Sequence, residues 1–213
     1  MRKLIVFSTL CVAMILLPLS AKADVITTLF SGGNGGSSLW TNYFDITVKN
    51  AGGINITDYE VNINSAGTGT GFTIDVYTTA AGDTYVGNTD VPGAWSLVSS
   101  GAGVGAGENT PTAVDTADFF LGPGTYGMAI RYLGVGMRYT NGDGSNQTYE
   151  DTNVRLDLGA SRATTDGPFT GGTLFSPRVW NGSIAYQAVP EPAGGILVLG
   201  LATMLVGKRW RRS

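Results

Sequence analysis

The sequence contains no histidine, and its single cysteine, Cys11, lies inside the first apolar run. These two absences exclude a good deal. No disulfide framework can form in the rest of the chain. Zinc sites built on His or Cys, and every catalytic triad that needs a His base, are excluded there as well. Strong helix formers are scarce between the two ends: Glu60, Glu108 and Glu150 are the only glutamates from 24 to 188, and Lys49 is the only lysine. Folding must therefore rest on burial and backbone pairing.

Glycine is abundant, at 32 residues, and Thr and Asn recur throughout. This is the composition of a turn-rich β protein. Of 13 Lys and Arg, seven lie at the ends (Arg2, Lys3, Lys22, Lys208, Arg209, Arg211, Arg212). Of 16 acidic residues only Glu191 does. Residues 24–188 thus carry a charge near −9, against −3 for the whole chain. An acidic domain with scattered cations repels phosphate polymers, so no nucleic-acid partner is expected.

Period-two alternation marks one strand after another. Phe44, Ile46 and Val48 alternate with Asp45, Thr47 and Lys49. Ile54 and Ile56 begin a stretch continued by Tyr59, Val61 and Ile63, and the change of parity predicts a bulge near Thr57 and Asp58. The pattern returns at Phe72–Val76, Tyr126–Ile130 and Val154–Leu158, and a closing strand is expected over Val179–Tyr186. With weaker segments at 25–30, 94–99, 114–121 and 136–140, about nine or ten strands are expected, with no helical pattern between them. Turn chemistry separates them: hairpin loops at 50–53 and 67–69, a tight turn at 122–124 and a hairpin signal at 141–144. Gly101–Gly107 (GAGVGAG) reads as a loop between sheets, and 159–172 as a longer one. The expected fold is all-β, a single antiparallel β-sandwich of jelly-roll type over 24–188.

Both ends read as addresses. Arg2-Lys3, the apolar run Leu4–Leu19 and the small-x-small site Ala21-Lys22-Ala23 form a signal peptide over 1–23, to be cut by signal peptidase before Asp24. An uncleaved anchor is the plainer alternative there. At the other end, Val189-Pro190-Glu191-Pro192 leads into an apolar run, Ala193–Gly207, and then Lys208-Arg209-Trp210-Arg211-Arg212. As a helix this run is about 22 Å long, against a bilayer core of about 30 Å. Snorkelling cations and local thinning would let it span as a transmembrane helix. Its basic end would stay in the cytoplasm, with the domain outside. A permanent tail anchor and a core helix are the bland alternatives, but Pro190 and Pro192 break any helix arriving from the domain side.

The order of Pro-Glu-Pro, apolar helix and basic stop over 189–213 resembles the PEP-CTERM sorting signal of bacterial surface and exopolysaccharide-associated proteins. The resemblance covers only this tail. It implies that a membrane enzyme, an exosortase, reads Pro190, Glu191 and Pro192 and removes the segment, with Lys208, Arg209, Arg211 and Arg212 as the basic stop. Ser176–Gly182 and Met137–Gly142 also resemble segments of a β-sandwich module of secreted bacterial proteins, a likeness that implies no activity.

Candidate sites within the domain are few. Trp40, Trp95 and Trp180 are its tryptophans, for which a core or rim position is the plainer reading; Trp95, in a Pro-Gly-Ala-Trp turn, is the one of the three most expected to be partly exposed, and it is the candidate for carbohydrate contact. Asn141, Asp143 and Ser145 have the spacing that opens a calcium loop. Asn146 replaces the required glycine and Thr152 the bidentate Glu, so no metal or other cofactor is expected. There is no G-x-S-x-G elbow, and Glu60 alternates to the solvent side of its strand. No catalytic residue is expected, and the chain is read as a non-enzyme. The expected function is that of an exported cell-surface or exopolysaccharide-matrix protein, structural or adhesive. A carbohydrate-binding module is the alternative, and a polysaccharide hydrolase working through paired carboxylates a more distant one.

Overall fold

The computed structural model describes residues 23–164 and 167–191. Residues 1–22 of the expected signal peptide, including Ala21, and the expected sorting helix, including Pro192 and the basic stop, lie outside the described residues. Among the described residues no helix is long and apolar enough to cross a membrane. The helical elements there are two 3-10 turns, Ser65–Gly67 and Pro92–Ala94.

The chain is all-β. In order, the strands are β1 (Asp24–Thr27), β2 (Asn34–Gly35), β3 (Thr41–Val48), β4 (Ile54–Val61), β5 (Gly71–Thr78), β6 (Ser96–Val104) and β7 (Thr112–Leu121). They continue as β8 (Gly124–Leu133), β9 (Arg138–Asn141), β10 (Thr148–Glu150), β11 (Val154–Arg162), β12 (Leu174–Phe175), β13 (Arg178–Trp180) and β14 (Gly182–Ala188). One sheet runs β1-β14-β4-β7-β6-β5-β8-β3-β11-β10, with β12 also on β11. Every pairing within it is antiparallel. A small sheet, β13-β9-β2, lies apart from that path.

The long sheet nearly closes on itself, bringing its edges β1 and β10 together. Side chains complete what the backbone leaves open. Tyr186 of β14 donates its hydroxyl to Asp151 beyond β10, at 2.6 Å, and Asn153 Nδ2 donates to Asp24 of β1, at 3.4 Å. Closure of this kind shields the edge hydrogen-bonding groups that would otherwise invite pairing with another chain.

The inward positions are those the alternation marks: Phe44, Ile46, Val48, Ile54, Ile56, Ile74, Val76, Met128, Ile130, Leu156, Ile184 and Tyr186 are all buried. The expected bulge is present. Against β14 the register shifts between Ala185 and Tyr186, leaving Thr57 as the extra residue, and against β7 it shifts between Ile56 and Asp58, where 116–118 bulge opposite Thr57. That single insertion returns Tyr59 and Val61 to the interior.

Three expectations about loops are corrected. The turns at 50–53, 67–69 and 141–144 do not join hairpin partners: β3 pairs with β8 and β11, whereas β4 pairs with β14 and β7. These turns carry the chain to a distant part of the ring, because turn chemistry fixes a reversal and not a partner. Gly101–Val104 is strand, the end of β6. A Cβ at Gly101 would sit 2.2 Å from the Asp115 carbonyl, so the glycine admits the close approach of β7. Gly159–Arg162 likewise continues β11 past a bulge.

Trp180 is the largest fully buried side chain among the described residues. It stacks on Phe44 at 5.2 Å between centroids, meets Tyr59 edge-on at 6.4 Å, and donates its indole N–H to the Tyr132 hydroxyl at 3.1 Å. One side chain from β13 thus ties together β3, β4 and β8. Trp180→Ala should cost about 3–5 kcal/mol, a large part of the total stability of a single domain. Urea unfolding checks this, and a loss under about 1 kcal/mol would contradict the central placement.

Candidate functional site

The first and last described strands bring the two ends of the described body to neighbouring points. β1 starts at Asp24 and pairs with β14, with Asp24 opposite Tyr186. Ala23, the last residue of the expected signal-peptidase site, is exposed beside it. At the exit the chain is held as far as Val189, whose N–H donates to the Gly53 carbonyl at 2.9 Å. A Cβ at Gly52 would lie 2.1 Å from the Val189 carbonyl, so the turn between β3 and β4 needs glycine where the tail leaves. Pro190 and Glu191 follow immediately and are exposed. The first two residues of the expected sorting motif therefore stand clear of the body.

Trp95 is not the exposed ring that its turn suggests. It is only 8% exposed, stacks on Phe169 at 4.8 Å with an interplanar angle of 5°, and meets Tyr43 edge-on at 5.7 Å. Its indole N–H donates to the Asn88 carbonyl at 2.8 Å. The turn is folded onto the outer face of the sheet, a tertiary contact that local sequence does not report.

Asn141, Asp143 and Ser145 shape a loop. One oxygen of Asp143 accepts from the Ser145 N–H and hydroxyl, both at 2.8 Å, and from the Asn146 N–H at 3.1 Å. Those hydrogen bonds, from Ser145 first, hold its carboxyl below the usual range. Asn141 accepts instead from Asn34, at 3.2 Å. Among the described residues no group of three or more acidic, His or Cys side chains is placed to hold a metal ion.

The glutamates lie apart. Glu108 pairs with Arg138 and Glu150 with Lys49. Glu60 borders a shallow depression of about 310 Å³ on the outer face of β1, β14, β4 and β7. Its floor is made of small residues, Ala113, Ser183 and Ala185, with Val25 at one side. Asp58 stands directly opposite Asp115 there, and none of the three acids forms an ion pair among the described residues. Like charges facing one another across strands are destabilising, so this face is built to stay solvated.

A partly exposed aromatic group that the sequence did not single out lies near the small sheet. Trp40 stacks on Phe175 at 5.4 Å and 13°, and the Arg178 guanidinium lies 5.6 Å from Phe175 and 5.5 Å from Tyr139. The two sequence segments noted earlier, 137–142 and 176–182, meet here, because β9 pairs with β13. The chain matches no protein-family model and no curated protein.

The loop that carries Trp95 is pinned to the sheet by Asp45, which accepts from the Thr84 hydroxyl at 2.6 Å and the Tyr85 N–H at 2.9 Å. Burial pushes the Asp45 carboxyl above its usual range; the two hydrogen bonds oppose this, and Asp157 opposite adds to it. The folded state therefore binds this proton more readily than the unfolded state. Stability from this group falls as pH rises from about 4, the unfolded value, through the raised folded value. Asp45→Asn removes that loss. The stability of the variant relative to the parent should rise between about pH 4 and 7, measured by urea midpoints, and a constant difference would contradict this role for Asp45.

Proposed function

We propose that this chain is an exported bacterial surface or exopolysaccharide-matrix protein with a structural or adhesive role, delivered by a signal peptide and sorted through its C-terminal Pro-Glu-Pro segment by an exosortase. One observation supports the reading: just past the last described strand, which ends at Ala188, Pro190 and Glu191 are exposed. The two junctions are neighbours on one edge, and Pro190 and Glu191 are accessible to an enzyme.

The finer description of the fold belongs with this reading. β5 pairs with β6, β4 with β7 and β3 with β8, three nested pairs of the kind a jelly roll wraps into two faces. We read the body as a jelly-roll-like sandwich, a frequent frame for extracellular domains. Its acidic surface and solvated outer depression suit a hydrated matrix, with the membrane a partner only until the tail is removed. Carbohydrate binding is the second reading, favoured by the half-buried Trp40 and Phe175 beside Arg178. No catalytic role is assigned.

The test is replacement of Pro190, Glu191 and Pro192 by alanine in a host that makes an exosortase. The variant should keep its tail and accumulate in the membrane fraction, as read by mass spectrometry of the C-terminus. Unchanged processing and location would overturn the sorting reading.

A further inference from the structure

The outer face of β5, β8, β3 and β11 carries a second, smaller aromatic layer. Tyr77, Ala129, Tyr43 and Ala160 stand opposite one another in one row, and Asp75, Arg131, Thr41 and Arg162 in the next. Over the first row lie Trp95 and Phe169. The Phe169 ring is parallel to the Trp95 indole and meets Tyr77 edge-on at 5.0 Å. It is 2% exposed. It is held there with a φ of +63°, a left-handed backbone that is strained for a bulky side chain.

The same short segment also occupies a guanidinium. Arg162 NH1 donates to the carbonyls of Gly171 and Gly172, at 3.1 and 3.2 Å. Its NH2 donates to the Thr89 hydroxyl at 2.9 Å and lies 3.5 Å from Asp90, which is largely exposed. Its Nε is buried and unpartnered. Arg131, across Thr41, makes a long Nε bond to the Leu39 carbonyl, at 3.4 Å, and no ion pair among the described residues. Both arginines are 8% exposed. Guanidinium groups so deeply buried are ordinarily paired with carboxylates or phosphates. Here Arg162 pairs with Asp90 through NH2, while its NH1 is satisfied by the carbonyls of a surface segment.

Residues 167–172 therefore present a flat six-membered ring to an indole and two oxygen acceptors to a guanidinium. A sugar ring bearing a carboxylate presents the same pair of features: an apolar ring face that stacks on tryptophan, and oxygens that can accept from Arg162 NH1, where the two glycine carbonyls accept in the free protein. We propose that this slot is a binding site for a uronic acid residue of an anionic polysaccharide, with Phe169 and the two glycine carbonyls as its internal stand-in. The binding is non-covalent. The ligand enters as the segment leaves, so apparent affinity is reduced by the fraction of time that Phe169 holds the slot. The acidic depression of Asp58, Glu60 and Asp115 is on a separate part of the ring, on strands β4 and β7, and salt screens it beyond about 8 Å at physiological strength. The proposal rests on the carbohydrate-binding reading, to which it adds a site apart from Trp40 and Phe175 and a ligand class, and it stands apart from the sorting reading, whose readout is location.

The test uses the full chain with hexagalacturonate, and with neutral maltohexaose as control. Chymotrypsin cleavage after Phe169, followed by mass spectrometry, should be slow in the free protein and at least about tenfold faster with saturating hexagalacturonate, with no change from maltohexaose. Phe169→Ala should bind hexagalacturonate at least about tenfold more tightly than the parent, and Trp95→Leu in that background should abolish the gain. If Phe169→Ala fails to fold, cleavage of the unaltered chain decides. No hexagalacturonate binding, binding that leaves Phe169 protected, or equal binding of maltohexaose would each overturn the proposal.

Discussion

Trp180 and the rings around it occupy the middle of a sheet that nothing covalent holds closed. The described body contains neither Cys nor His, so the ring of strands stands only if its interior is filled and its last gap is bridged. The filling is aromatic and branched-aliphatic: Phe44, Tyr59, Tyr132 and Trp180 in contact, with Ile and Val from β3, β4 and β5 around them. The bridge is polar, from Tyr186 to Asp151 and from Asn153 to Asp24. Close packing supplies the specificity that a cross-link supplies in smaller extracellular domains.

The outer surface divides according to what covers it. Over β1, β14, β4 and β7 it is small-residue, acidic and open. Over β5, β8, β3 and β11 it is covered by the 79–95 loop and by Phe169, so that Gly127, Ala129 and Arg131 on the outward side of β8 are buried, as Met128 and Ile130 on the inward side are. The exit of the chain lies at a third place, beside β1 and the turn between β3 and β4.

Much of the strand content was legible because side-chain direction in a strand has period two. Phe44, Ile46 and Val48, and the bulge between Ile56 and Tyr59, could be read from parity alone. Partnership could not. A glycine-rich turn such as 50–53 looks the same whether it joins two paired strands or carries the chain to a distant part of the ring. GAGVGAG looked like a loop because its side chains cannot pack, yet Gly101 is in β6 because the β7 backbone leaves no room for a Cβ. Trp95 was misjudged for a related reason: its neighbours Phe169 and Tyr43 are far from it in sequence, and their approach depends on loops that carry no periodic signal. The Trp40, Phe175 and Arg178 group was hidden in the same way, being assembled from segments more than a hundred residues apart.

The central claim is that residues 24–188 hold all of their stability within themselves, with the two ends serving delivery alone. Chemical unfolding of residues 24–188 produced alone, beside the full chain in mild detergent, tests it most directly. The account predicts one cooperative transition with closely similar midpoints. A short form that is molten, aggregated, or recovers its fold only when residues 189–213 are restored would contradict it.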